Sequence, residues 1–487
     1  MEEQKKYAFP TGKKEMIFCG VSLITGLAMA NCIYAGGFNL GFAVALIANI
    51  LCGAGYLAWS GCKGNGYTSA ILGLCLVIGA GFCRSDDGFV KFVMVAFLLV
   101  GVNLAMCLAA GQNRRMAGGV RSVLDAPRAL FVFGMGKLEE SFRGIIVYFR
   151  EGGEGSRRTG AALLGVLISI PLVAVVIPLL MSADAAFNGL MELLPEFELF
   201  EWMLTLVYGS AFFAIAYTRG VALRHSPKDC APEKQGKRLH PFTINTVLGA
   251  VCFVYAVYLV SQLAYFVGGF SGILPEGYTA AEYARRGFFE MAWLCGINLG
   301  IITFCMSLVQ RQEAAPRVTK VLCLFVGLVT LFLVAASCAK MILYIQRFGL
   351  TRLRVLTMAI IVFLGITTGL VIVWLFRPKF AYMKVVVITA LVIGAAVLWM
   401  DVDTQVARYN VNAYLDGTLA AVDVRHLGTL GNGAVPYIEK LCQADDPEIA
   451  TKAAELLEHW FVPEEDLRGW NYVNQITLEI LPKYDAE

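Results

Sequence analysis

The sequence predicts an all-α fold: a polytopic integral membrane helical bundle of about eleven transmembrane helices, ending in a small α-helical extracytoplasmic domain. Three observations predict it. Of 487 residues, 58% are hydrophobic and 16% charged, with a mean hydropathy of +0.66. Soluble domains carry about 25% charged residues, so lipid is the main solvent for this chain. Apolar runs near the length that crosses a hydrocarbon core of about 30 Å recur eleven times. Basic residues collect in alternate loops between those runs.

The runs lie near Met16 to Tyr34, Phe38 to Trp59, Tyr67 to Cys83, Phe89 to Ala110, Gly160 to Met181, Leu199 to Thr218, Ile244 to Val267, Phe288 to Val309, Val318 to Lys340, Val355 to Phe376 and Tyr382 to Met400. The third is short and reads as a full, a re-entrant or a tilted span. Lys and Arg stay on the cytoplasmic side of short loops. With the N-terminus inside, the inner segments are those around Lys13, Lys63, Arg114 to Arg158, Arg219 to Arg238, Arg311 to Lys320 and Arg377 to Lys384. Together they hold 26 of the 40 Lys and Arg residues. The expected location is the cell membrane, with the N-terminus cytoplasmic and the C-terminus extracytoplasmic. Lys13 and Lys14 precede a run ending in Ala28-Met29-Ala30, a pattern shared with signal peptides; ten further spans favour an uncleaved helix.

Four regions follow: residues 1–110 with four spans, 111–159 as a cytoplasmic basic amphipathic segment, 160–400 with seven spans, and 401–487 as an acidic helical tail. In the second, Val120 to Arg150 interleaves Leu124, Leu130, Phe131, Phe142 and Ile146 with Arg121, Arg128, Lys137, Arg143 and Arg150. That pattern fits one amphipathic helix on the inner leaflet, its cations at anionic lipid headgroups. The bilayer is thus the expected partner, and nothing points to nucleic acid.

Span five carries Pro171 and Pro178, which free helical carbonyls and imply a kink. An acidic outer loop follows, with a short helix from Ala185 to Leu194 opened by Ser182-Ala183-Asp184. The outer loop before span eight reads Tyr278-Thr-Ala-Ala-Glu-Tyr-Ala-Arg-Arg-Gly-Phe-Phe-Glu290. If helical, it sets Glu282, Arg286 and Glu290 on one face. Lys340, Arg347, Arg352 and Arg354 add cations at the next outer loop, against the positive-inside trend. With Arg285 and Arg286 they form a surface suited to phosphate or carboxylate, which Arg holds bidentately; the bland alternative is a set of structural ion pairs.

Gly37-x-x-x-Gly41, Gly296-x-x-x-Gly300 and Gly365-x-x-x-Gly369 suit close helix packing. Asn49, Asn103, Gln262 and Asn298 suit interhelical hydrogen bonds. The tail has 16 acidic residues against six basic. It predicts short helices over Val422 to Leu430, Val435 to Cys442 and Asp446 to Trp460, the last opened by Pro447. Fourteen cysteines lack any Cys-x-x-Cys pair and read as small apolar residues. The four histidines are a poor base for a metal site. No phosphate loop, dinucleotide fingerprint, nucleophile elbow or zinc-protease helix occurs, so no cofactor is expected.

Ser182 to Phe187, Ala281 to Glu290, Tyr344 through Gly349-Leu-Thr-Arg-Leu-Arg354, Ala407-Arg408-Tyr409-Asn410 and Trp470-Asn471 together resemble a bacterial family of membrane proteins catalogued as domain of unknown function 4173, close to 4153. The likeness runs from about Gly160 to the C-terminus and implies a bacterial cell membrane without implying an activity. These motifs fall on the outer side of the charge-derived topology. The expected outward-facing polar site is built by Asp184, Glu282, Tyr283, Arg285, Arg286, Glu290, Tyr344, Arg352, Arg354, Arg408 and Asn410. The leading expectation is a transporter or sensor of an anionic small molecule or lipid rather than an enzyme. The alternatives are a membrane-embedded enzyme acting on a cell-envelope lipid, with Glu282 or Glu290 as base, and a scaffold recruiting partners.

Overall fold

The computed structural model describes residues 8–112, 125–155, 157–162, 165, 176, 179–181, 199–227, 239–270, 288–308, 317–460, 462 and 467–483. Among them every regular element is helical. In chain order these are α1 (Lys13–Gly36), α2 (Leu40–Trp59), α3 (Gly66–Gly81), α4 (Gly88–Ala109), α5 (Leu138–Glu151), α6 (Leu199–His225), α7 (Pro241–Phe270), α8 (Phe288–Leu308), α9 (Arg317–Phe348), α10 (Arg352–Phe376) and α11 (Tyr382–Trp399). The tail adds α12 (Val402–Leu415), α13 (Val435–Leu441), α14 (Pro447–Glu458) and α15 (Tyr472–Ile480).

Nine of the described helices, α1, α2, α4 and α6 to α11, are long and apolar enough to cross a membrane. The third expected span is α3, whose 16 residues reach only about 24 Å at 1.5 Å per residue. Pro171, Pro178 and the acidic outer helix lie outside the described residues. Large apolar side chains face outward from the spans, among them Phe92 at 69%, Phe253 at 71% and Trp293 at 74% exposure. Burying one such side chain in an apolar medium is worth about 1.5–3 kcal/mol, so an apolar solvent around the helices accounts for them.

The chain divides into two compact units. The first comprises Met1–Arg114, Arg121–Asp229 and Val462–Gln475. Here α1 packs along α6 and α2. The closest approach is at Gly26 and Gly209: a Cβ on Gly26 would stand 2.8 Å from the Gly209 carbonyl oxygen. Asn49 donates to Thr25 Oγ1 at 3.1 Å, the interhelical bond its position suggests. At one end Glu15 accepts from the Gly12 N–H at 2.9 Å and the Tyr56 hydroxyl at 3.1 Å, and meets His225 Nε2 at 3.3 Å. The N-terminus of α1 and the C-terminus of α6 are thereby tied together, acid at the positive helix end.

At the other end of this unit the segment Arg468–Tyr472 docks. The Leu40 and Gly41 N–H groups donate to the Trp470 and Arg468 carbonyls at 3.2 and 2.9 Å, and the Tyr472 N–H to Cys83 O at 2.9 Å. A Cβ on Gly36 would come 2.6 Å from the Arg468 carbonyl carbon, and one on Gly41 3.0 Å from Arg468 Cα. An added Cβ on Gly41 would also meet Cys32 Sγ of α1 at 2.9 Å, so Gly41 serves both the α1–α2 contact expected of it and the docked tail, while Gly37 has nothing within 4 Å. Gly296 and Gly300 have nothing within 4 Å of an added Cβ, so that pair makes no close crossing among the described residues.

The basic amphipathic segment is not one helix. A turn at Asp125–Arg128 leads into a π-helical stretch, Ala129–Met135, and α5 restarts at Leu138. The break is local: the Gly136 N–H donates five residues back to Phe131 O at 2.8 Å, a wide turn that ends the ladder. Both pieces pack on α6, Gly134 against Ile215 and Phe142 edge-on to Phe213 at 5.9 Å.

The second unit comprises Arg115–Val120, Cys230–Phe461 and Ile476–Glu487. Helix α9 is its centre, with α7, α8 and α10 packed on it and α11 on α10. Leu248, Ile302, Cys323, Val326, Leu333 and Leu375 form the buried core. Asn298 accepts from the Tyr255 hydroxyl at 2.6 Å and donates to Thr330 Oγ1 at 3.0 Å, again an interhelical role; the Gln262 side chain lies outside the described residues. In the tail, α13 packs on α12 and α14. Asp446 caps α14 through the Glu448 N–H at 2.9 Å, with Pro447 in its first turn.

Candidate functional site

Helix α9 ends at Phe348 because Gly349 takes φ +76°, a left-handed conformation that glycine adopts without penalty. Thr351 then caps α10 through the Arg354 N–H at 3.4 Å. The connection is only three residues long, and α12 reads it. Val402, Asp403, Val406, Ala407, Asn410 and Val411 are the buried face of α12, spaced as a helical stripe. Two polar residues sit within that stripe, and both contact the turn.

Asn410 clasps Leu350. Its Oδ1 accepts from the Leu350 N–H at 2.6 Å and its Nδ2 donates to the Leu350 carbonyl at 2.9 Å. Asp403, 1% exposed, receives Arg352 in a bidentate pair, Nε to Oδ1 and Nη2 to Oδ2 at 2.6 Å. Arg352 Nη2 also donates to Thr429 O at 3.2 Å, and the Gly431 N–H to Asp403 Oδ2 at 2.9 Å. Arg354 turns back on α9: its Nη1 donates to the Phe348 carbonyl at 2.9 Å and to that of Gly349, and its guanidinium lies 4.2 Å from the centre of the Tyr344 ring. A cation at a helix C-terminus satisfies carbonyls that lack intrahelical partners.

Arg408 faces the other way. It is exposed and borders an open groove of 670 Å³ together with Gln346, Gln405, Tyr409, Asn412 and Asp416, floored by Leu350 and Leu419. A smaller cavity of 270 Å³ shares Leu350 and Leu419 and reaches Asp423 and His426. Among the described residues no group of three or more His, Cys, Asp or Glu is arranged to hold a metal.

Of the residues singled out in the sequence, four meet around the α9–α10 turn, Tyr344, Arg352, Arg354 and Asn410, while Arg408 lines the groove on the other side of α12. Glu290 is exposed at the start of α8. Asp184, Glu282, Tyr283, Arg285 and Arg286 lie outside the described residues. Asp403, Gln405 and Asn412 were not anticipated. The signal for Asp403 was available: an acid seven residues before Asn410, in an otherwise apolar helical stripe, asks for a buried partner.

A family model described as "Domain of unknown function (DUF4153)" matches residues 70–441. The neighbouring family 4153, rather than 4173, is therefore the one matched. The match begins inside α3, earlier than the motif likeness does, and stops at the end of α13, before Trp470-Asn471. Comparison with the curated proteins and with the solved structures gave no match.

Proposed function

Since the chain belongs to the DUF4153 family, whose description names no activity, we propose a function from its own chemistry: a multi-pass membrane protein that binds an anionic small molecule or lipid headgroup at the Arg408 groove, as a sensor or transporter. One contrast carries the reading. Arg352 is engaged by a buried carboxylate and Arg354 by helix-end carbonyls, whereas Arg408 is exposed in a groove edged by amide side chains and one carboxylate, Asp416. Gln346 and Asn412 supply further donors, and Gln405, one of whose N–H groups is spent on Met400 O, can add its second, so a phosphate or carboxylate would meet a guanidinium and amides at once. Asp416 at the rim disfavours highly charged anions. If the topology follows the charge sorting, this groove opens on the extracytoplasmic side.

The test uses the purified full chain, with inorganic phosphate, glycerol phosphate and nanodiscs of anionic or zwitterionic lipid as probes. A saturable rise in unfolding temperature, lost in Arg408→Gln, is expected with at least one of them. Equal responses in the two proteins would end the proposal.

We further propose that α5 and the π-helical stretch lie at anionic headgroups of the inner leaflet. Phe131 and Ile146 are exposed at 60% and 61%, while Arg143 and Lys137 are held by Glu139 and Glu140; Arg150 is exposed at the end of α5. Removing Arg150 should weaken retention of anionic lipid in native mass spectrometry and leave zwitterionic lipid unaffected.

A further inference from the structure

The Arg408 groove carries charges of both signs. Gln405, Arg408, Asn412 and Asp416 all line it, and their spacing along α12 sets them on one side of the helix. At 1.5 Å per residue, the backbones of Arg408 and Asp416 stand about 12 Å apart. Both side chains are exposed, and among the described residues neither has a hydrogen bond or an ion pair. The two charges therefore face one cavity of 670 Å³ without neutralising each other.

The fold gives Asp416 no support as an acid. It directly follows the last residue of α12, where Gly417 at φ +72° turns the chain, and a carboxylate is disfavoured beside the negative end of a helix. An unpaired acid placed there, facing a groove, calls for a cation from outside the fold. Arg408 in the same groove calls for an anion. A ligand bearing both, a few atoms apart, satisfies the two residues together.

We propose, resting on the reading of this groove as an anion site, that its ligand is a phosphodiester carrying a primary ammonium. That is the chemistry of an ethanolamine phospholipid headgroup and of free glycerophosphoethanolamine. Arg408 takes the phosphate bidentately. Asp416 and the Asn412 amide oxygen accept from the ammonium, whose three N–H donors a quaternary ammonium lacks. Leu350 and Leu419 lie against the carbon atoms between the two charges. Gln346 is in the last turn of α9, and both α9 and α10, which the Leu350 turn joins, are apolar enough to cross a membrane, so the groove stands at the level where headgroups collect.

The test is calorimetric titration of the purified full chain with glycerophosphoethanolamine and with glycerophosphoglycerol, which share the phosphodiester and differ in the ammonium. It is paired with native mass spectrometry of lipid retained from mixed nanodiscs of ethanolamine and choline phospholipid. The wild type should prefer the ethanolamine form by about fivefold, the worth of one exposed ion pair. Asp416→Asn should lose the preference and unfold no earlier than the wild type, and Arg408→Gln should bind neither form. A preference in nanodiscs supports lipid as the source, and one confined to the free diester supports a soluble ligand. Equal binding of both forms by the wild type, or a preference that survives in Asp416→Asn, overturns the ammonium and leaves the anion reading of the groove standing. A wild type that binds neither form, free or in nanodiscs, overturns this proposal, and titration with inorganic phosphate then decides whether the anion reading falls with it.

Discussion

Asn410 holds both backbone polar groups of Leu350, accepting from its N–H at 2.6 Å and donating to its carbonyl at 2.9 Å. One amide therefore completes the α9–α10 turn from the side of α12, its acceptor oxygen and donor nitrogen lying side by side as the N–H and carbonyl of one residue require. Asn410→Ala should leave two partly buried backbone groups unmet, costing about 1–3 kcal/mol. Asn410→Asp should cost as much, since a carboxylate cannot donate to the Leu350 carbonyl. Unfolding midpoints in detergent check both; a wild-type midpoint in Asn410→Asp would mean the clasp contributes nothing.

Gly349 sharpens the same point. An alanine there would carry φ +76° and bring its Cβ 2.6 Å from Asn410 Oδ1. The backbone alone costs on the order of 1–2 kcal/mol. The steric part depends on Asn410, so Gly349→Ala should be less harmful in an Asn410→Ala background than in the wild type. Additive losses in the double variant would show that the two residues do not meet.

The Arg352–Asp403 pair should behave asymmetrically. Asp403 is 1% exposed, whereas the Arg352 side chain is 34% exposed. Removing the arginine strands a buried carboxylate, a loss of about 3 kcal/mol or more; removing the acid leaves a guanidinium that can reach water. Arg352→Met should therefore be the worse single variant, and Arg352→Met with Asp403→Leu should recover part of the loss. A double-mutant cycle with no coupling would refute the pairing.

How much of this was legible in the sequence differs between the membrane helices and the turn. The spans were readable because lipid imposes length and apolarity on each one separately, and the short Gly66–Gly81 helix was visible as short for the same reason. Asn49 and Asn298 were readable as interhelical because a buried amide in a span has few other options. What Arg352 and Arg354 bind was not readable. Their partners, Asp403 and the Phe348 carbonyl, come from a helix 51 residues away and from a helix end, and a cation looks identical in sequence whether its partner is internal or a ligand. The docking of Arg468 on Gly41 lies 427 positions apart in the chain and rests on backbone atoms, which carry no residue-type signal. The π-helical break at Gly136 was lost because amphipathic spacing continues in phase across it.

The side of the membrane that carries α12 to α14 is testable directly. Asp445 is exposed, just before α14. Asp445→Cys should react with a membrane-impermeant maleimide in intact cells and raise labelling well above the wild-type background, since the native Cys442 is only partly exposed. Labelling seen only after the cells are opened would invert the topology and place the Arg408 groove in the cytoplasm.

Asn471 sets the other tail contact. Its Nδ2 donates to Ser85 O at 2.6 Å and to Asn39 Oδ1 at 3.0 Å, while its Oδ1 accepts from the Val473 N–H at 2.9 Å. Asn39 Oδ1 also accepts from Lys91 Nζ at 2.6 Å, so it keeps a donor when Asn471 changes, whereas Ser85 O loses the 2.6 Å bond from Asn471. Asn471→Ala should cost about 1–3 kcal/mol and expose the Arg468–Tyr472 segment to protease. Asn471→Asp keeps the acceptor for the Val473 N–H but loses the donor to Ser85 O, so its protease sensitivity should also exceed that of the wild type. Wild-type protease resistance in Asn471→Ala would mean that the amide does not hold this segment.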